Sequence, residues 1–394
     1  MSVRAHPTPQ RAAALVVAVG VTCALHIGKL PPAVPALQAG LGISLVQAGF
    51  LLSLVQLAGM CLGVFVGLSA DRFGPRRVML VGLLGLAMGS AWGALAASPG
   101  MLLASRALEG LGFLLAVLPA PALIRRHVES PRLLSRALGW WGAYMPLGTA
   151  LALLVGAPVI ESMGWRVVWL GLSAVSLLAA LGLQASVPPD PRAPGQAAPW
   201  RPRLRRTLSA PGPWLVALGF LLYSGQWLAV VGFLPTILAQ GGMGGLVAGL
   251  LSALAAAVNM AGNIGAGRWI AHGARPLVVL RLAYLSMAGG AMLAFALDGP
   301  FWLQYLGVLA FSAVGGLIPG TLFGLAVRLA PGEDTVSTTV GWMQQLSALG
   351  QFAGPPLVAW LATQAGGWHL SWLATGSACL LGLWVAQRID RALP

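Results

Sequence analysis

The sequence predicts an all-α integral membrane protein of twelve transmembrane helices arranged as two six-helix bundles, and three observations carry that prediction. The 394 residues are 58% hydrophobic and only 8% charged, where a soluble domain carries about 25% charged residues. The apolar residues fall into runs close to the ~20 residues that cross a hydrocarbon core. The second half of the chain repeats the first at a nearly constant offset. Little chain is left for a large soluble catalytic or nucleic-acid-binding domain.

The first span, 12–37, follows Arg4 and Arg11 and so mimics a secretory signal, but further apolar runs follow without pause and it reads as a retained helix. Spans at 44–69 and 78–97 flank a short basic loop, spans at 100–124 and 137–160 flank a second, and 166–186 completes six. The stretch 187–211 then holds Pro188, Pro189, Pro191, Pro194, Pro199 and Pro202 with five arginines. Such a segment buries no core and reads as a linker. Six more spans follow at 212–235, 244–268, 277–296, 301–328, 338–362 and 369–388. The domains are therefore an N-terminal bundle (1–186), a linker (187–211) and a C-terminal bundle (212–394).

The net charge of +14 suggests a nucleic-acid partner until the basic residues are placed. With a cytoplasmic N-terminus, 20 of the 23 fall in cytoplasmic segments, a strong positive-inside pattern. The charge is then a topology signal, with attraction to anionic lipid secondary. The expected setting is a bacterial inner membrane with both termini cytoplasmic, the lipid bilayer as partner, and no nucleic acid. The exceptions are Lys29, Arg106 and Arg166.

Internal repeats support the two-bundle division. Gly139-Trp140-Trp141 with Gly148 matches Gly341-Trp342-Met343 with Gly350, and Gly164-Trp165 with Trp169-Leu170 matches Gly367-Trp368 with Trp372-Leu373. Gly74 with Arg76 matches Gly273 with Arg275. Units of six helices share one orientation, so the repeat is parallel about an axis normal to the membrane.

The loop after the second span reads Gly67-Leu68-Ser69-Ala70-Asp71-Arg72-Phe73-Gly74-Pro75-Arg76-Arg77. An acid beside arginines at a helix end can latch neighbouring helices, or can simply be solvated in a topogenic loop. The candidate latch is Asp71, Arg72, Gly74 and Arg76; the second half has Ile270 in place of the acid. In the fourth span, Arg106 and Glu109 lie three residues apart on one face. A lone charge in hydrocarbon costs several kcal/mol, so that face looks into protein or water. The pair is either a structural ion pair or a proton carrier coupled to substrate.

These two stretches resemble motifs of the major facilitator superfamily, G-x-x-x-D-R-x-G-R-[KR] and L-x-x-x-R-x-x-Q-G-x-G, with Glu109 at the usual Gln. The resemblance covers nearly the whole chain and implies a two-bundle secondary transporter working by alternating access. It implies a role for Arg106 in proton coupling. The compact form is similar to members of the cyanate/nitroimidazole-transporter type. Gly142-Ala143-Tyr144-Met145-Pro146-Leu147-Gly148 matches the superfamily's antiporter motif only in part, with Met145 before the proline, which argues against drug/proton antiport. Pro146 and Gly148 still predict a kinked, closely packed helix.

The first span also carries His26 and Lys29, the chain's one lysine. Lys29 either snorkels to the outer interface or faces the cavity, where with Arg106 it would favour an anionic substrate. His26 could relay protons or be simply hydrogen-bonded. Tyr144, Tyr223, Gln226, Trp227, Asn259, Asn263, Gln304, Tyr305, Gln344 and Gln345 are polar or aromatic groups that contact substrate or, singly, glue helices at ~1 kcal/mol each. Cys23, Cys61 and Cys379 lie in apolar runs without metal-ligand spacing and read as small core residues. No GK[ST] phosphate loop or HExxH cluster occurs, so neither a primary pump nor an enzyme is expected, and no cofactor or metal. The expected function is proton-coupled transport of a small organic, anionic solute by a monomer. Proton-coupled drug or metabolite efflux and a transporter-like sensor remain open alternatives.

Overall fold

The computed structural model describes residues 9–128, 130–190 and 200–393, and these are almost entirely helical. Eleven helical stretches are long and apolar enough to cross a membrane. The more polar Val336–Ala365, thirty residues carrying Gln344, Gln345 and Gln351, makes the twelfth span. In chain order the first six are Pro9–Gly28 with Leu30–Leu41, Leu45–Ser53 with Leu57–Phe73, Pro75–Ala94, Pro99–Val117 with Ala120–His127, Pro131–Gly142 with Tyr144–Met163, and Trp165–Ser186. The last six are Pro211–Gln240, Gly245–Ala257 with Asn259–Ala271, Pro276–Ala291, Phe301–Gly315 with Leu317–Arg328, Val336–Ala365, and Ser371–Ala392.

Several spans that the hydropathy runs together are broken in the middle, and proline explains most of the breaks. Proline removes a backbone donor and its ring clashes with the carbonyl four residues earlier. The interruption at Lys29 precedes Pro31 and Pro32, that at Leu118–Pro119 precedes Pro121, that at Ala143 precedes Pro146, and that at Gly316 precedes Pro319. The linker is not wholly irregular, because Trp200–Ser209 is a helix ending one residue before the seventh span. Its Arg206 pairs with Asp334 at 2.9 Å.

Each half has its own apolar core. Val16, Cys23, Met79, Leu83, Phe113, Leu123 and Leu183 pack together in the first, and Val216, Tyr284, Met287, Phe311, Ile318 and Ile389 in the second. Among the described residues, three pairs of spans make the main contacts between the halves. The first and seventh meet, the second packs on the eleventh, and the fifth on the eighth. Gly249 of the eighth span lets the backbone of the fifth approach, since a Cβ there would stand 2.5 Å from the Ala157 Cβ. Amides cross the second contact: Gln56 Nε2 donates to Gln351 Oε1 at 3.1 Å, and Gln345 Nε2 to the Met60 carbonyl at 2.8 Å. An even number of spans puts both chain ends on one face, called here the terminal face.

A buried ionic cluster as the candidate functional site

Spans one, three, four and six enclose polar side chains in an otherwise apolar bundle. His26, Lys29, Ser90, Arg106, Glu109 and Ser176 have no exposed surface. Glu109 is the hub. Lys29 Nζ donates to Glu109 Oε1 at 2.5 Å, and Arg106 Nη1, one turn away on the same helix, donates to Oε2. Such charge-assisted bonds are the strong kind. Gly89 of the third span makes room for them, because a Cβ there would stand 2.8 Å from Glu109 Cγ.

The cations have further partners. Lys29 donates to Ser90 Oγ at 2.8 Å, Ser90 Oγ in turn donates to the Trp169 carbonyl at 2.7 Å, and the ammonium lies 4.5 Å from the Trp169 ring centroid. A cation over an indole face is attracted by the ring quadrupole. Arg106 Nε donates to the Leu51 carbonyl at 3.2 Å, and Nη1 to the His26 carbonyl at 2.9 Å. His26 Nδ1 lies 3.4 Å from the Lys29 ammonium and so accepts. That leaves Nε2–H to donate to Ser176 Oγ at 2.8 Å, the neutral tautomer. Two cations then stand against one carboxylate. Arg106 Nη2 and Trp169 Nε1 are buried without a hydrogen-bond partner.

Lys29 therefore neither snorkels nor looks into the space between the bundles; it points at the third, fourth and sixth spans. Sequence reasoning finds Lys29, Arg106, Glu109 and His26 but misses Ser90, Ser176 and Trp169. The duplication holds a signal for one of them. Gln226 and Cys379 follow His26 and Ser176 by 200 and 203 residues, and in the second bundle Cys379 Sγ donates to Gln226 Oε1 at 3.4 Å. The two halves build the same contact between their first and last spans, one with an imidazole and one with an amide.

The remaining candidates lie elsewhere. Tyr144 stacks on Trp141, ring centroids 4.4 Å apart, within the first apolar core. Tyr223, Asn259 and Asn263 form one network, in which Asn259 Nδ2 donates to Tyr223 Oη at 2.9 Å and to the Ser312 carbonyl at 2.8 Å, and Asn263 Nδ2 to Asn259 Oδ1 at 3.0 Å. Trp227 Nε1 donates to Ser312 Oγ at 3.0 Å, and Gln226 Nε2 to the Leu222 carbonyl at 2.8 Å. These groups join helices inside the second bundle. Tyr305 bonds the Leu251 carbonyl and Gln304 the Leu297 carbonyl. Gln344 is half-buried and among the described residues has no hydrogen-bond partner, while Gln345 Oε1 is buried and unpaired. Cys61 is exposed, against expectation.

Of the expected latch, the side chains of Asp71 and Arg72 lie outside the described residues. Gly74 and Arg76 meet an acid that sequence reasoning overlooked. Asp190 accepts from the backbone N–H of Arg76 at 3.3 Å and of Arg77 at 3.0 Å, and pairs with Arg126 at 2.9 Å.

Two duplicated six-helix bundles, joined by a linker and holding ionisable groups in one core, define a polytopic membrane transporter. The chain belongs to the Major Facilitator Superfamily, whose family model matches residues 13–355. It is 29% identical over 344 residues to monocarboxylate transporter 11 of Mus musculus, covering 82% of this chain and 74% of that one. It is 32% identical over 317 residues to the cephamycin export protein of Amycolatopsis lactamdurans, covering 75% and 60%. A puromycin resistance protein of Streptomyces alboniger is 37% identical over 151 residues, but the match spans only 30% of that protein's length and 38% of this one. Among solved structures, a bacterial homologue of the human lysosomal transporter Spinster, inward-facing and occupied, superposes with a TM-score of 0.81 at 16% identity over 98% of each chain.

Proposed function

We propose that the protein is a proton-coupled secondary transporter of a small organic anion, driven by rocking of the two bundles. The observation that carries this reading is the sharing of one buried carboxylate, Glu109, between two buried cations, Lys29 and Arg106. Removing such charges from water is costly unless each is paired, so the site is stable only while an anion lies between the cations. A proton delivered to Glu109 removes that anion and frees both cations to take the carboxylate of a substrate. The charge of the site is the same before and after: two cations and one anion. Proton and monoanion thus bind as a pair, and the loaded site crosses with no more buried charge than the empty one. The unpaired Arg106 Nη2 offers the incoming anion a donor.

The positive-inside pattern supports a bacterial inner membrane with both termini cytoplasmic, and short loops like those of cyanate/nitroimidazole-type transporters accord with a small solute. Export in place of uptake is the second reading, favoured by two relatives named for cephamycin export and puromycin resistance. The test is flux into liposomes holding the purified protein under an imposed pH gradient, with labelled small carboxylates and lipophilic cations offered in parallel. Gradient-driven carboxylate movement with equimolar protons is expected. Movement of the cations alone supports drug efflux, and no gradient-driven flux of any solute supports a sensor.

A further inference from the structure

The ninth and twelfth spans, Pro276–Ala291 and Ser371–Ala392, pack antiparallel, and two contacts fix their register. At the terminal face Arg275 Nη2 pairs with Asp390 Oδ2 at 3.2 Å. Deeper in, Gly382 makes room for the Tyr284 ring, which would collide with a Cβ there. Arg281, three residues before Tyr284, is therefore level with Trp384 and Val385. That level is about 9 Å along the helix from Arg275. A headgroup layer is ~5–7 Å deep, so Arg281 stands close to the boundary between headgroups and acyl chains.

Both spans turn an apolar face outward at this depth. Val278, Leu282 and Leu285 of the ninth and Leu380 and Leu381 of the twelfth are exposed, a surface that lipid chains cover in a membrane protein. Two cations interrupt it. Arg281 is exposed between Val278 and Leu282. Arg388 is also exposed and starts one turn nearer the terminal face than Trp384, but it leans back over that ring, its guanidinium carbon 5.1 Å from the centroid. Snorkelling would carry a guanidinium away from the chains; Arg388 is turned instead toward the level of Arg281. Asp390 is the one acid in either span, and Arg275 engages it. Among the described residues neither Arg281 nor Arg388 has a hydrogen-bond or ion-pair partner.

The first bundle supplies the comparison. Arg76 and Asp190 precede Arg275 and Asp390 by 199 and 200 residues. The groove so placed, between the third and sixth spans, is an open cavity of about 320 Å³ lined by Leu80, Leu84, Leu177, Leu181 and Gln184. At the same offsets Gly82 and Pro188 stand where the second bundle has Arg281 and Arg388. Each bundle offers an apolar groove, and the second adds two cations to it.

We propose that the groove between the ninth and twelfth spans binds an anionic phospholipid of the terminal-face leaflet, its phosphate held by Arg281 and Arg388 and its acyl chains lying along Leu285 and Leu381. Two guanidinium groups at one level with no acid between them repel. A phosphate placed there replaces the repulsion with charge-assisted contacts, for which the planar guanidinium fork is suited. Trp384 sits at the height where tryptophan favours the headgroup region and holds Arg388 by its ring face. A lipid is favoured over free phosphate because the groove continues inward as apolar surface, which an inorganic anion leaves uncovered. The site belongs to the second bundle and is separate from Glu109, so it does not depend on which solute the protein carries.

Native mass spectrometry of the delipidated full-length protein in detergent measures its affinity for phosphatidylglycerol and for phosphatidylcholine with the same acyl chains. The wild type is expected to bind phosphatidylglycerol at least tenfold more tightly, and equal affinities overturn the proposal. Arg281→Gln with Arg388→Gln is expected to lose the preference; both arginines are exposed and bond no described residue, so the packing survives their removal. Arg268→Gln with Arg328→Gln removes two other exposed terminal-face arginines, at the ends of the eighth and tenth spans, and is expected to keep it. An equal loss in the two double variants reports diffuse attraction to a basic face and overturns the site, as does a preference that survives without Arg281 and Arg388. Displacement of phosphatidylglycerol by an equimolar amount of inorganic phosphate overturns the lipid as occupant.

Discussion

Lys29 and Glu109, eighty residues apart in the chain, meet at 2.5 Å with both side chains fully buried. A pair this deep is seldom a source of net stability, because desolvating the two ions offsets most of their attraction. Its removal one side at a time is another matter. Arg106 shares the carboxylate, so Glu109 is the one counter-ion of a doubly cationic core, and a change at any of the three is felt by the other two.

Glu109→Gln leaves Lys29 and Arg106 facing each other with no counter-ion. Breaking a buried pair in this way costs about 3–5 kcal/mol, and the melting temperature of the purified protein should fall accordingly. Adding Lys29→Gln removes one of the two repelling charges, so the double variant is expected to melt above Glu109→Gln alone. A double variant that melts lower still means that the charges are not coupled as their geometry implies.

The same vacancy is a test of the anion. In Glu109→Gln an added small carboxylate has two unopposed cations to bind, and it should raise the melting temperature of the variant more than that of the wild type. Free ligand at 100 times its Kd contributes about 2.7 kcal/mol to a state that alone binds it. Chloride at equal ionic strength is the control, and equal stabilisation by both salts reduces the effect to screening. In liposomes the variant should exchange labelled anion for unlabelled anion without moving protons, since no carboxyl remains to carry one.

The expected pH response follows from the same exchange. Proton uptake on Glu109 accompanies anion binding, so lowering the external pH at fixed anion concentration should raise the initial rate of uptake, and raising it should lower the rate. Glu109→Gln should lose that dependence. A pH profile that is unaltered in the variant assigns the coupling to another group.

His26 separates a relay from a strut. The second bundle makes the equivalent contact with Gln226 against Cys379, which indicates that an amide satisfies this position sterically. His26→Gln is expected to keep a bond to Ser176 and to retain transport within about twofold, with a stability loss below the ~1 kcal/mol of one interhelical hydrogen bond. Loss of proton movement with anion exchange intact would show that the imidazole relays the proton.

The twelve spans were legible because apolar runs are local, and Lys29, Arg106 and Glu109 because charge in a span is rare. Their partners were not. Serine and tryptophan recur throughout the spans, and a helix that is apolar on all sides carries almost no moment to show which face meets which neighbour. Lys29 illustrates the consequence: its depth could be counted along the helix, but whether it looked outward, into the gap between bundles or into its own bundle depended on packing. Asp190 was hidden for a different reason. A proline-rich, basic stretch reads as solvated linker, and only the fold brings its one acid to the start of the third span. At Gly89 the close contact between the third and fourth spans involves the site itself.

Gly89 consequently offers a way to disturb the site without altering a charged residue. Its missing Cβ would lie 2.8 Å from Glu109 Cγ and 3.0 Å from the Glu109 backbone nitrogen. Neither can yield easily, since the side chain is held by Lys29 and Arg106 and the nitrogen belongs to the fourth span. Gly89→Ala must push the third and fourth spans apart, and overpacking of this kind costs about 1–3 kcal/mol. The displacement carries Ser90 with it, so the bond from Lys29 to Ser90 should lengthen and the ammonium lose its place between Glu109 and the Trp169 ring. The expected result is a protein that still inserts and purifies, with a modestly lower melting temperature and anion flux reduced at least tenfold. Gly85→Ala is the matched control: the nearest atom to its added Cβ is the Gly112 Cα at 3.3 Å, away from Glu109. If both substitutions depress flux equally, helix spacing alone is responsible and the geometry around Glu109 has no special part in transport.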